Sequence, residues 1–170
     1  TCLQYNFEMY PDITMISISG NHDFAEVNLL DKPAESALEY LATVFPQFVL
    51  LDQCDQMFTT AGGTVIWGIP YYEHPEHFRA VLLDTAQGIN KKDYRNILLT
   101  HQTIGSGLPI EDTISPDDPL FDNFDFIFNG HIHHGEQLTD KFVNVGSPMA
   151  RDAGDIGKQK GFWIVDLDDP

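Results

Sequence analysis

The order of helical and strand-like patterns in this 170-residue chain predicts an α/β fold with two sheets and helices outside them. In the first half, β-rich apolar runs alternate with helical patterns, and in the second half strand patterns predominate. Three of the apolar runs end in blocks that contain histidine or asparagine, and an α/β sheet delivers functional side chains at its strand ends. The length suits one domain, residues 1–170, with a sizeable core.

The individual helices and strands are predicted from the spacing of apolar residues and from the prolines at the ends of these segments. Apolar residues at helical spacing predict a helix at 34–45, between Pro33 and Pro46. We also predict the end of a helix at 1–10 and a helix that begins at Pro75. The predicted strands are 13–18, 48–51, 57–60, 64–69, 96–99, 124–128, 142–145 and 162–165. The turn at 61–63 predicts a hairpin. Residues 102–124 are predicted to be a long loop, which in a compact domain is usually functional or mobile.

Composition narrows the classes of function. The chain has 9 basic and 26 acidic residues, and a net charge of −17 counts against unaided nucleic-acid binding. No apolar run is long enough for a membrane span, so no membrane association is expected. Cys2 and Cys54 form no C-x-x-C pair, which argues against a disulfide scaffold or a thiolate zinc site and fits a reducing cytoplasm.

Three short blocks carry the candidate chemistry, and each follows an apolar run that predicts a buried strand: Gly20-Asn21-His22-Asp23, Leu99-Thr100-His101 and Gly130-His131-Ile132-His133. The side-chain amide of Asn21 offers a neutral oxygen that suits a metal site. Asn21 could instead simply tolerate a positive φ in a tight turn. Beside three strand-end histidines, we favour the metal ligand.

The histidines divide into catalytic and ligating candidates. Asp23 could hold one ring nitrogen of His22, which would then stabilise a phosphoryl transition state or protonate a leaving oxygen; a turn histidine is the alternative. From a turn after a strand, His131 and His133 could reach two neighbouring metals, whereas His134 is expected at the rim. His101 is either a further ligand or a buried neutral ring.

Together and in this order, the blocks resemble the calcineurin-like metallophosphoesterases, whose pattern is D-x-H, G-D, G-N-H-D/E, a single His after a strand, and G-H-x-H. The resemblance implies a four-layer α/β/β/α sandwich of two mixed sheets flanked by helices. It implies that Asn21, His101 and His131 bind one divalent metal ion and His133 another, with His22 catalytic and Asp23 its partner. It also implies phosphate-ester hydrolysis by water that two metals activate, with Mn²⁺ expected and Fe²⁺ or Zn²⁺ as alternatives.

The chain departs from that pattern at its start. Only 19 residues precede Gly20, and they contain neither D-x-H nor G-D. We therefore expect an N-terminally truncated sequence that lacks the first strands of the fold, and a fragment that is inactive by itself.

Further segments narrow the resemblance to SbcD-type nucleases of DNA double-strand-break repair and recombination, closest to phage-encoded members. They include Gly68-Ile69-Pro70-Tyr71, residues 124–131, Gly146-Ser147-Pro148 with Arg151-Asp152, and 161–166. The resemblance implies a DNA exonuclease and endonuclease, an SbcC-type ATPase partner, and a homodimer built partly through the 34–45 helix, whose apolar face the core could equally explain. Arg151, Lys158 and Lys160 could touch DNA or lie in a solvated loop.

Three alternatives remain open. The chain could be a nucleotide phosphodiesterase or a phosphoprotein phosphatase of the same superfamily. It could be a non-catalytic binding subunit that keeps the fold, although such proteins usually lose ligands piecemeal. A zinc-stabilised structural domain is disfavoured, because structural zinc prefers closed, cysteine-rich sites.

Overall fold

A computed structural model describes residues 2–24, 36–52, 56–91, 93–105, 114–151, 153–157 and 160–167. The elements in chain order are α1 (Cys2–Met9), β1 (Met15–Ser17), α2 (Leu38–Val44), β2 (Phe48–Leu50), β3 (Met57–Thr59), β4 (Thr64–Ile69), α3 (Pro75–Gly88), β5 (Arg95–Thr100), a 3₁₀ turn (Pro119–Asn123), β6 (Phe126–Asn129), β7 (Glu136–Gln137), β8 (Phe142–Asn144) and a second 3₁₀ turn (Ala153–Asp155). The described helices are too short or too polar to cross a bilayer.

These strands form two sheets, which confirms the predicted α/β class. β1 and β2 pair in parallel, and the larger sheet has the order β3-β4-β5-β6-β8-β7. The four central strands of the larger sheet are parallel to one another, and its two edge strands run antiparallel to their neighbours. The carboxyl ends of β4, β5 and β6 therefore lie at one edge of the sheet, where parallel α/β sheets carry their sites.

The core of the larger sheet explains why its strands are continuous apolar runs. Phe78 and Leu82 on α3 are fully buried and pack in one cluster with Leu98 on β5 and Ile127 on β6. β4 and β5 are buried along most of their length, and strands that are covered on both faces need not alternate apolar with polar residues.

Most of the predicted elements are present, with small changes at their ends. The strand predicted at 142–145 ends at Asn144. Of the helix predicted at 34–45, residues 34 and 35 lie outside the described residues, Ser36 forms an isolated β-bridge, and the helix itself is Leu38–Val44. The segment predicted as a loop at 102–124 contains the 3₁₀ turn at Pro119–Asn123 and contributes Phe121 to the core. β7 has only two residues and was not predicted.

The strand predicted at 162–165 is wrong. Residues 160–167 contain no strand, and the side chains of Phe162 and Ile164 are 82% and 87% exposed. Alternating apolar residues are compatible with a strand, but a strand also needs a neighbour that supplies its ladder of hydrogen bonds. Trp163 meets the chain just after β8 through a side-chain hydrogen bond, from its Nε1 to the carbonyl oxygen of Val145.

Candidate metal centre

The ends of three strands bring the predicted site residues around one open cavity of about 660 Å³. β1 leads into the turn at Gly20, β5 ends just before His101, and β6 ends just before Gly130. The residues singled out from the sequence all line this cavity, namely Asn21, His22, Asp23, His101, His131 and His133. His134, expected at the rim, is exposed and lines it too.

His101 lies at the centre of this group. Its Nε2 atom is 3.1 Å from Oδ1 of Asn21, and its ring centroid is 5.1 Å from that of His131, with the ring planes nearly perpendicular. Two glycines make room for the ring. A Cβ atom on Gly20 would lie 2.7 Å from Cε1 of His101, and one on Gly130 would lie 3.0 Å from its Nδ1. A Cβ atom at Gly20 would force the imidazole to shift, and one at Gly130 would make a tight contact with it.

Burial keeps the central imidazoles uncharged. Loss of solvent lowers the pKa of His101 to about 4, and the neighbouring His131, His22 and His133 contribute to the lowering, because they disfavour a second positive charge. The pKa of His131 is also lowered, first by burial and then by His133 and His22. Both rings are therefore neutral at physiological pH, which is the form that binds metal ions.

One buried atom in the cluster is left without a partner. Nδ1 of His131 makes no hydrogen bond to the residues that the structure describes. An unpaired buried polar atom is costly, and an unseen ion or water is the usual explanation. Within the described ranges, no three His, Cys, Asp or Glu side chains form a metal site by themselves. The donor set at hand is two imidazoles and one amide oxygen, which fits a divalent cation that takes further ligands.

Asp23 stabilises the turn that carries Asn21 and His22. Its Oδ2 accepts a hydrogen bond from the backbone N–H of Gly20 at 2.8 Å, and its own N–H donates to the carbonyl oxygen of Gly20 at 3.1 Å. The predicted role of this carboxylate was to hold the ring of His22, but its described bond goes to the main chain. His22 is exposed at the cavity wall, where its ring can meet a substrate.

A buried amide network lies beneath the histidines. The side chain of Asn129 accepts a hydrogen bond from the backbone N–H of Gln102 at 2.8 Å and donates to the Gln102 carbonyl oxygen at 2.9 Å. The same amide donates to Oδ1 of Asn144 at 2.7 Å. Because Gln102 follows His101 and Asn129 precedes Gly130, this network fixes the spacing of the two strand ends that carry the imidazoles.

Two further residues contribute to the site without having been predicted as site residues: Tyr71, which the sequence analysis noted only as part of a family-like segment, and Ser19, which had no signal. The ring of Tyr71, after β4, stacks on His131 with centroids 5.6 Å apart and meets the edge of His101 at 6.3 Å. Ser19 is fully buried, and both its N–H and its hydroxyl donate to the carboxylate of Asp52. Its carbonyl oxygen accepts from the N–H of Tyr71 at 3.0 Å, so Ser19 ties the asparagine turn to both sheets.

An α/β sheet that presents imidazole and amide donors at its strand ends is typical of metal-dependent enzymes. The chain belongs to the calcineurin-like phosphoesterase family, whose model matches residues 2–135 and so includes all three blocks. The family resemblance stated from the sequence is thereby confirmed. The chain is similar to the SbcD component of the SbcCD nuclease of Staphylococcus saprophyticus, with 29% identity over 182 residues, covering 95% of this chain and 47% of the relative. The chain thus spans about half the length of that curated relative.

Proposed function

We propose that this chain is part of a metal-dependent nuclease that hydrolyses phosphodiester bonds in DNA during repair or recombination. The observation that carries the proposal is the convergence of Asn21, His101 and His131 at the strand ends of a calcineurin-like phosphoesterase, where the described residues leave Nδ1 of His131 unpaired. The similarity to a relative that is named a nuclease favours a nucleic acid over other phosphate esters as the substrate in this proposal.

In this proposal, Asn21, His101 and His131 hold one divalent ion and His133 contributes to a second. The expected ion is Mn²⁺, with Fe²⁺ or Zn²⁺ as alternatives. When bound, such ions polarise phosphoryl oxygens and activate water. The exposed ring of His22 stabilises the phosphoryl transition state or gives a proton to the leaving oxygen. Asp23 keeps His22 and Asn21 in place through the turn that it closes.

The net charge of the chain and the exposed side chains of α2 indicate which partners the protein has in this proposal. With a net charge of −17, the chain is poorly suited to hold DNA alone, so we propose that an SbcC-type ATPase partner supplies much of the DNA contact. We also propose that the protein is phage-encoded and acts in the cytoplasm of the host. α2 has no buried residue, and the side chains of Tyr40 and Val44 are 72% and 45% exposed. These exposed side chains support the homodimer implied for this helix. The 19 residues before Gly20 contain neither D-x-H nor G-D, and we propose that residues 1–170 alone are inactive.

The test is a substrate comparison with the complete protein. Linear DNA, a small phosphodiester, a cyclic nucleotide and a phosphopeptide are incubated with the protein after chelation and again after Mn²⁺ is added. We expect Mn²⁺-dependent cleavage of DNA in preference to the other substrates, and at least about a hundredfold loss in His22→Asn. His77→Asn, on α3, is the matched control. Preference for the phosphopeptide or the cyclic nucleotide would replace the nuclease proposal with one of the two alternatives.

A further inference from the structure

Lys160 is a sequestered cation beside the candidate metal centre. Its side chain is 11% exposed, and that of its ion-pair partner Asp155 is 5% exposed. Nζ of Lys160 donates to Oδ1 of Asp155 at 2.7 Å, to the carbonyl oxygen of His133 at 2.8 Å and to Oγ of Ser147 at 3.0 Å. An ammonium group has three N–H donors, and all three are used here. Lys160 therefore has no donor left for a DNA phosphate, and it does not lie in a solvated loop.

The acceptors of Lys160 belong to the wall of the site. His133, Ser147 and Asp155 all line the cavity that holds the imidazole cluster. The N–H of Ser147 donates to the same His133 carbonyl oxygen at 3.2 Å. Oδ2 of Asp155 accepts from the N–H of Arg151 at 3.0 Å. A single ammonium thus joins the histidine turn, the turn after β8 and the second 3₁₀ turn.

The energetics of such a pair favour a role in positioning. Removing two opposite charges from water is costly, so a buried ion pair contributes little net stability compared with apolar side chains. The Lys160 pair does, however, direct a charged donor onto the main chain of His133. Groups that fix the orientation of a metal ligand typically change metal affinity by about 10–100-fold when they are removed.

We propose that Lys160, held by Asp155, is a positioning residue that fixes the backbone of His133 and so aims its imidazole into the metal centre. The inference rests on the proposed function for its metal, but the position of the imidazole can be measured without one. Loss of the ammonium would release the His133 carbonyl oxygen and let the histidine turn shift, although Lys160 itself never meets substrate.

The test compares Lys160→Met with Lys141→Met in the complete protein. Lys141 is a matched control, because its Nζ also donates to a backbone carbonyl oxygen, that of Phe121 at 2.9 Å, and also pairs with an aspartate, Asp122 at 3.3 Å. It lies against a different cavity. We expect Lys160→Met to weaken Mn²⁺ binding, measured by calorimetry, by about tenfold or more. We also expect it to shift the side-chain ¹H–¹⁵N signals of His133 in the metal-free protein, and Lys141→Met to change neither.

A double variant separates positioning from the burial of an unpaired charge. Asp155→Leu/Lys160→Met removes both charges and should unfold near the temperature of the parent, because replacing a whole buried pair with apolar residues is often neutral. We expect its Mn²⁺ affinity to stay low. Restored affinity in the double variant, or parental affinity and unmoved His133 signals in Lys160→Met, would overturn the inference. A parent protein that binds no Mn²⁺ would instead contradict the proposed function, and the His133 signals would still decide the positioning role.

Discussion

Nε2 of His101 lies 3.1 Å from Oδ1 of Asn21, although the two residues are 80 positions apart in the sequence. His101 follows β5 of the larger sheet, and Asn21 follows β1 of the two-stranded sheet. Their contact therefore joins the two sheets at the place where the third block contributes His131. An amide oxygen and an imidazole nitrogen at this separation could both turn to one cation with small changes in side-chain torsion.

The first prediction concerns Asn21. Asn21→Ala should weaken Mn²⁺ binding by the complete protein at least about tenfold, because a ligand is lost and the remaining described donors are nitrogens. Isothermal calorimetry measures the change. Asn90→Ala is the control, since that amide is exposed and bonds to Asp93. Unchanged Mn²⁺ affinity in Asn21→Ala would show that the residue serves the turn alone.

The second prediction concerns the space around His101. Gly20→Ala should displace the imidazole, because the new Cβ would lie 2.7 Å from Cε1 of His101. We expect DNA cleavage to fall by at least about tenfold, as small misplacements near a reacting centre cost one to two orders of magnitude. Gly88→Ala at the end of α3 is the control, because a Cβ there meets no atom of the described residues within 4 Å. Cleavage at the parental rate by Gly20→Ala would mean that His101 is not held as tightly as this contact indicates.

The third prediction is a dependence of stability on pH. The pKa of His101 is lowered from 6.5 to about 4, mainly by burial, so the native state resists protonation more than the unfolded chain does. The contribution of His101 to stability is therefore complete above pH 6.5 and is lost as the pH falls toward 4. The free energy of unfolding of the metal-free protein, measured with urea, should fall over this interval by up to about 1.4 kcal/mol per pH unit for this group. His101→Gln should remove that part of the slope, and parallel curves for parent and variant would contradict the lowered pKa.

The placement of the candidate ligands could be predicted from the sequence because it depends on strand ends. His101 and His131 follow apolar runs that form neighbouring parallel strands, and parallel strands end at one edge of a sheet. The approach of Asn21 to His101 joins two sheets, and it was predicted from the strand-end positions of the blocks together with the family resemblance. Residue type and spacing were thus enough to predict which side chains meet at the centre of the cavity.

The contacts that hold the site residues in place could not be predicted in the same way. Lys160 was expected near DNA or in a solvated loop, but three acceptors from separate turns surround its ammonium. Asn129 ends a strand, and no local pattern shows that its amide meets Asn144. The strand predicted at 162–165 was wrong for a related reason, since apolar alternation carries no information about a pairing partner. Each of these features depends on contacts between segments that are distant in sequence.

The last prediction concerns the amide network beneath the histidines. Asn129→Leu keeps roughly the size of the side chain but leaves the N–H and carbonyl oxygen of Gln102 and Oδ1 of Asn144 without their described partner. Because Asn129 is fully buried, water cannot easily replace these bonds, and the free energy of unfolding should fall by roughly 3 kcal/mol. Urea unfolding measures the loss, and Asn90→Leu, at an exposed site, should stay within about 0.5 kcal/mol of the parent.

The same Asn129→Leu variant tests how the network acts on the site. At temperatures where the variant is still folded, Mn²⁺ affinity should also fall, because the network sets the distance between the chain after His101 and the chain before His131. A variant that loses stability but binds Mn²⁺ like the parent would show that the network supports the sheet without aligning the imidazoles. Such a result would leave Ser19, Asp52 and Tyr71 as the contacts that hold the asparagine turn against the histidine pair.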